Sequence, residues 1–176
     1  MTTDEYLYET DETNRRRELR MSRVSEPPAP FFSHQQLVLK VARVLSDHVE
    51  SRKLGSVAVA PVDVVLDREK HLVLQPDVLY ISNARQSIIR NQVWGAPDLV
   101  VEVLSDSTRT YDRGEKLGWY RQYGVRECWL VDLYGNSVTI NDFDCATPRE
   151  RVAVGVDGII SYVLPQLRIT AYDIFL

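Results

Sequence analysis

A glutamate stands in the middle of an otherwise apolar run, Leu99-Val100-Val101-Glu102-Val103-Leu104. Six residues this rich in valine and leucine read as a buried strand. A carboxylate carried inside such a strand costs folding free energy unless it is paired or holds a cation. The rest of the chain must therefore fold so that Glu102 meets positive charge. Downstream, the stretch 110–123 has helical spacing, carries Lys116 and is stopped by Gly124; upstream, Gln75-Pro76-Asp77 sets a second carboxylate at the mouth of the apolar run Val78-Leu79-Tyr80-Ile81. Two strand carboxylates and a lysine are the minimum set for metal-assisted phosphodiester hydrolysis.

Strand geometry decides which carboxylate partners Glu102. Alternation puts Asp98, Val100, Glu102 and Leu104 on one face and Leu99, Val101 and Val103 on the other. Asp98 and Glu102 are then about 13 Å apart along the strand, whereas two oxygens on one Mg2+ lie within about 4.2 Å of each other. Asp98 is the polar start of the strand, and Asp77 meets Glu102 if their strands are neighbours. Position 104, on the face of Glu102 and two residues on, is leucine, so the nearest lysine is Lys116. Asp112, Lys116 and Tyr120 recur at four-residue intervals and share a helix face.

Each of these residues also has a plainer reading. Glu102 can pair with Lys116 or Arg113, Asp77 can shape a turn after proline, and Lys116 can pair with Asp112 one helical turn away. Tyr120 fits packing as well as phosphate contact. Asp63, inside Val62-Asp63-Val64, is a further candidate for the acidic cluster, and His34 is either an exposed residue opening a helix or a group approaching the site.

Elsewhere the pattern predicts a mixed α/β domain. Tyr6-Leu7-Tyr8 and Leu19 to Val24 read as a hairpin, and the prolines of Glu26-Pro27-Pro28-Ala29-Pro30 as an extended connection. Residues 1–30 thus form an N-terminal hairpin and extension, and 31–176 the main domain. Ser33 is placed to cap a helix running to Lys53, with Leu37, Val38, Val41, Val44, Leu45 and Val49 on one face and Gly55 as its stop. Strands follow at Ser56–Leu66, Asp77–Ser82, Leu99–Leu104, Glu127–Asp132, Ser137–Phe143, Arg151–Val154 and Ile169–Phe175, with an irregular or briefly helical link over 83–93. This order requires a central sheet with at least one helical crossover.

The chain has 176 residues, enough for one domain with a real core, and no apolar run of the roughly 18 residues a membrane span needs. Its start has no basic-then-apolar leader, so a cytoplasmic location is expected. Cys128 and Cys145 lack metal-site spacing. The net charge of −4 argues against nonspecific coating of nucleic acid and leaves a nuclease open. Arg15, Arg16, Arg17, Arg20 and Arg23 read as a solvated face.

The block Gly95 to Ser105, with Gln75-Pro76-Asp77-Val78 before it, resembles the PD-(D/E)XK nucleases, and more closely the Uma-two family of restriction-type endonucleases. Ser107-Thr108-Arg109, Asp112, Lys116, Tyr120 and the run Gly124 to Asp132 extend that likeness, which loosely covers Pro30 to the C-terminus. The resemblance implies a restriction-endonuclease-like core of mixed α+β type, with flanking helices and additional β-hairpins. It further implies Asp77 and Glu102 as ligands of Mg2+ or Mn2+, with the catalytic lysine moved onto the helix as Lys116. Cys128 stands where the family often has tyrosine, and the first 25 residues match poorly. The expected activity is metal-dependent DNA cleavage, with the Val103 carbonyl as a further ligand and a homodimer suited to double-strand cutting. The competing expectation is a catalytically weak or inactive nuclease-fold module that binds nucleic acid or a partner protein.

Overall fold

The structure, a computed structural model, describes residues 1–8, 16–105 and 109–176. Its larger sheet has six strands in the order β11 (Arg149–Val154), β10 (Ser137–Asp142), β9 (Glu127–Asp132), β8 (Leu99–Leu104), β6 (Val78–Ser82) and β3 (Gly55–Val59). A second sheet of five runs β2 (Arg23–Ser25), β1 (Glu18–Arg20), β5 (Leu72–Leu74), β4 (Val64–Asp67) and β7 (Val93–Trp94). A short ribbon pairs β12 (Gly158–Ile159) with β13 (Ile169–Thr170). The helices are α1 (Thr3–Tyr8), α2 (Phe32–Ser51), the crossover α3 (Arg109–Tyr111) and α4 (Leu117–Gln122) joined by a π-helical turn at Asp112–Lys116, and α5 (Ala171–Phe175). This is the mixed α+β architecture the sequence predicts.

β8 is central, and all six of its residues are buried. It lies parallel to β9, reached through the α3–α4 crossover, and antiparallel to β6. On one face Val101 and Val103 join Trp129 and the α2 residues Leu37, Val41 and Leu45; on the other Val100 and Leu104 join Tyr120, Leu72 and Leu74. Each such aliphatic side chain contributes roughly 1.5–3 kcal/mol by leaving water. The strand therefore has no exposed face, and Glu102 is buried with it.

The structure departs from the sequence reading at several boundaries. Tyr6-Leu7-Tyr8 is helical, because Thr2 and Glu5 form a reciprocal capping box: Glu5 N–H donates to Thr2 Oγ1 at 3.2 Å and Thr2 N–H to Glu5 Oε2 at 2.6 Å. A second box, Thr170 with Asp173, turns most of the expected last strand into α5. Helix α2 begins at Phe32, one residue before Ser33, and ends at Ser51, with Lys53 taking the left-handed turn (φ 54°). Gly55 has another duty: a Cβ there would lie 2.1 Å from the Ile81 carbonyl oxygen, so only glycine lets β3 pair with β6. The expected strand at 56–66 breaks after Val59 at Pro61, which has no N–H for a ladder.

Candidate active site

The register between β6 and β8 brings the two strand carboxylates together. Val78 lies across from Val101, so one step further Asp77 faces Glu102. Asp77 Oδ2 accepts the Val103 N–H at 2.7 Å. A residue in an extended strand sends its N–H and C=O to the same side, so Val103 turns its carbonyl toward this point as well. That carbonyl accepts from His34 Nε2 at 3.0 Å, which fixes the proton on Nε2, since a carbonyl cannot donate. His34 is buried at the start of α2, not exposed, because the helix packs its N-terminal turn against the end of β8.

Lys116 arrives from the crossover. The π-helical turn that carries it has the Leu117 N–H reaching back five residues to the Asp112 carbonyl, an irregularity often found at functional sites. Asp112, Lys116 and Tyr120 are all buried on one side of this helix, as their spacing predicts. Lys116 Nζ sits 2.8 Å from Glu102 Oε1 and 2.8 Å from Glu18 Oε1. The Tyr120 hydroxyl donates to Glu102 Oε1 at 2.5 Å. Lys116 thus contacts both glutamates, where the plainer reading gave it a pairing with Asp112.

Two participants escaped the sequence reading. Glu18, on β1, is 2% exposed and collects Lys116, Arg20 at 2.8 Å, the Gln75 N–H at 3.1 Å and the Tyr111 hydroxyl at 3.2 Å. Arg16 donates from NH1 to Asp77 Oδ1 at 2.6 Å, and from NH2 to the Gln75 carbonyl at 2.8 Å and to Glu102 Oε2 at 3.4 Å. The solvated-face reading fails for three of these arginines: Arg16 bridges the acids, Arg17 lies over the Tyr6 ring, and Arg20 stacks 3.5 Å from the Tyr111 centroid, while Arg23 is exposed as expected. Arg15 lies outside the described residues, as do Ser107 and Thr108.

The remaining candidates fall elsewhere. Asp63 does not join the acidic cluster; its Oδ1 accepts from Tyr6 at 3.1 Å and Gln75 Nε2 at 2.9 Å, because the break after Val59 moves it off the large sheet. Asp98 is fully buried and occupied by the Ser82 N–H at 2.7 Å and Arg126 NH1 at 3.0 Å, away from Glu102. Cys128 is an inert core thiol, and burial pushes its pKa up.

The electrostatics separate the two glutamates that share Lys116. Burial pushes Glu102 up, with Asp77 and Asp112 adding to the rise and Lys116 and Arg16 opposing it, and the net result lies well above the ordinary carboxylate range. Burial acts the same way on Glu18, but Lys116, Arg16 and the Gln75 N–H outweigh it and bring Glu18 down to about 2. Burial also raises Tyr120, beside the Glu102 charge, so its phenol stays protonated and donates.

Asp77 Oδ1 and Glu102 Oε2 already converge on one cationic group, the Arg16 guanidinium. Both are hard oxygen donors, and the Val103 carbonyl adds a third. Such a set suits Mg2+ or Mn2+, which keep several waters, better than zinc. Among the described residues no group of three or more His, Cys, Asp or Glu side chains is arranged to enclose a metal. Two carboxylates and a carbonyl leave positions for water and a phosphate oxygen, so the residues present fit the ion once Arg16 withdraws. Asp77, Val103 and Lys116 line a cleft of about 290 Å3 that opens this point to solvent.

No curated protein matches the chain at a significant level. Among solved structures, the crystal structure of a "putative nuclease belonging to DUF820" from Anabaena variabilis superposes with a TM-score of 0.83 at 18% identity, covering 99% of this chain and 97% of that one. At that identity the likeness establishes a shared fold. The family profile described as "Putative restriction endonuclease" matches residues 3–171, nearly the whole chain. The chain thus belongs to the Uma2 family, whose description is that of a nuclease.

Proposed function

We propose that this protein is a Mg2+- or Mn2+-dependent DNA endonuclease acting in the cytoplasm, with Asp77, Glu102 and the Val103 carbonyl as metal ligands and Lys116 as the catalytic cation. One observation carries the proposal: carboxylates from two adjacent strands aim at a single cation position, with a fully buried lysine 2.8 Å from one of them. When bound there, a divalent ion supplies an activated water and offsets the charge that builds on phosphorus. The chain's own residues do the positioning. Val103 N–H fixes the Asp77 carboxylate, Tyr120 and Lys116 fix Glu102 Oε1, and His34 fixes the Val103 carbonyl. Glu18 anchors Lys116, whose ammonium has three donors and so can spare one for water or phosphate at the cleft.

Incubation of the protein with plasmid and single-stranded DNA, with Mg2+, Mn2+ or chelator, tests this. Cleavage should require the metal and vanish in Asp77→Ala and Glu102→Ala; cleavage surviving chelator or either substitution at the parental rate overturns it. The second reading, an inactive nuclease-fold module, draws on Arg16, which completes an ion-pair network without any metal. Calorimetric titration with Mn2+ separates the two, since a purely structural network takes up no ion. Cutting both strands of a duplex with one site per chain would take two copies, so sedimentation on DNA reads whether the protein works as a homodimer.

A further inference from the structure

The reactive groups are almost sealed: Asp77 is 2% and Lys116 1% exposed, and substrate reaches them through the cleft of about 290 Å3. Beside it lies a second cavity of about 640 Å3. Both are lined by Arg16 and Asp77, and both share the segment Pro27–Pro30 as a wall. A phosphodiester held at Asp77 has a nucleotide on each side, and both cavities reach Asp77. The second cavity is largely apolar, with Val38, Leu39, Val59 and Pro61 in its lining.

Two aromatic rings line the first cleft while remaining exposed. Phe31 is 78% exposed although it is among the most apolar residues of the chain, and Tyr134 is 60% exposed with the Arg109 guanidinium 5.9 Å from its ring centroid. Neither ring is buried in the core. Exposed aromatics beside a phosphate-binding point are the means by which proteins hold unpaired bases, since every base offers a stacking face. The bases of a duplex are already stacked on one another and present no free face to such rings. The charged side chains lining the cleft balance, with Arg16, Arg20 and Lys116 against Glu18, Asp77 and Asp112, so stacking carries the attraction that net positive charge supplies elsewhere.

We infer that the site takes unpaired DNA, with bases next to the scissile phosphate stacked on Phe31 and Tyr134. This specificity rests on the nuclease reading above and adds the substrate class. The test is fluorescence anisotropy of a labelled 12-nucleotide single-stranded DNA, its duplex and the same sequence as RNA, in Ca2+, with strand integrity checked on a gel. The single DNA strand should bind at least tenfold tighter than the duplex. Phe31→Ala and Tyr134→Ala should each weaken single-strand binding about tenfold and spare the weak duplex binding, with melting temperatures unchanged because both rings are exposed. Equal or tighter duplex binding, tighter RNA binding, undetectable binding of all three, or alanine variants that bind as the parent does, each overturns the inference. If duplex is cut and single strand is not, this inference fails while the nuclease reading stands. If single strand binds through both rings but is never cut in Mg2+ or Mn2+, the inference stands and the nuclease reading fails.

Discussion

Replacing Arg16 with methionine probes whether its guanidinium holds the place of the metal. The side chain makes three contacts: Asp77 at 2.6 Å, the Gln75 carbonyl at 2.8 Å and Glu102 at 3.4 Å. Removing one partner of a buried ion pair costs about 3–5 kcal/mol, because the other charge is left in a poor solvent. Arg16 is 22% exposed, so water enters the vacated space and screening lowers the figure to about 2–3 kcal/mol. For a chain of this length each kcal/mol shifts Tm by about 2–4 °C, which gives a fall of about 5–10 °C without metal. A metal that must displace the guanidinium forfeits the same free energy, so the Arg16→Met protein should bind Mn2+ about 30- to 150-fold more tightly. In saturating Mn2+ the two proteins should melt within about 2 °C of each other. Thermal denaturation with and without Mn2+, together with calorimetric titration, reads all three quantities. An equal drop in Tm in both conditions, or Mn2+ affinity unchanged by the substitution, refutes the reasoning and leaves Arg16 as a purely structural partner.

Lys116→Met removes the shared partner of Glu18 and Glu102. It should cost about 3 kcal/mol in denaturant unfolding and reduce single-turnover cleavage at least a hundredfold without weakening Mn2+ binding, and unchanged cleavage would make it structural only. Asp77→Asn should abolish Mn2+ uptake. Asp98→Asn should leave that uptake intact and cost about 1–2 kcal/mol, since Asp98 serves Ser82 and Arg126; equal effects on metal would place both carboxylates in the site. The Arg109 fork, followed by the Gly135 and Tyr134 N–H groups, holds Asp132 at about 2 against an ordinary 3.8. Its folded value is depressed, so its contribution of about 2 kcal/mol is present above pH 4 and lost as pH falls toward 2; Asp132→Asn should flatten that acid limb of the Tm profile. Glu102 has the opposite sign: its folded value is raised, so its contribution is complete below 4.5 and is lost as pH rises through the folded value. Glu102→Gln should remove this decline from the metal-free profile, and an unaltered slope would contradict the burial of an under-compensated charge.

Much of the fold was legible because its signals are periodic and local. The valine-rich β8 run, the three- and four-residue spacing along α2 and the Gly124 stop needed no partner to be read. Strand geometry excluded Asp98 by distance and left Asp77 as the partner of Glu102 on condition that their strands were neighbours, which the pairing of β6 with β8 supplies. The two short helices α1 and α5 were also written in the sequence, as the Thr-x-x-acid patterns at Thr2–Glu5 and Thr170–Asp173, and apolar alternation masked them. Gly55 reads locally as a helix stop, and only the approach of β6 reveals its role. Arg16 and Glu18 were illegible for a different reason. Each lies among charged neighbours in a segment that looks solvated, and its partners stand 57 to 98 residues away on Gln75, Asp77, Glu102 and Lys116. Long-range electrostatic pairing has no period, so composition alone reads it as surface.

On the metal-site reading proposed above, the contrast between the two glutamates on Lys116 accounts for a site that is stable without metal and receptive to it. Glu18 is fully served, by Lys116, Arg20, the Gln75 N–H and the Tyr111 hydroxyl, and burial does not prevent it from staying charged. Glu102 is raised first by burial and then by Asp77 and Asp112; Lys116 at 2.8 Å and Arg16 at 3.4 Å oppose the rise without cancelling it. A divalent cation between Glu102 and Asp77 would therefore relieve a carboxylate whose burial is incompletely compensated, and would gain little at Glu18. Because Glu18 also holds Lys116, the lysine would not follow Glu102 if that carboxylate turned to a metal. Position 104 can then be a leucine that packs against Tyr120 in the core: with the ammonium tethered from β1, the strand no longer needs to carry the lysine itself.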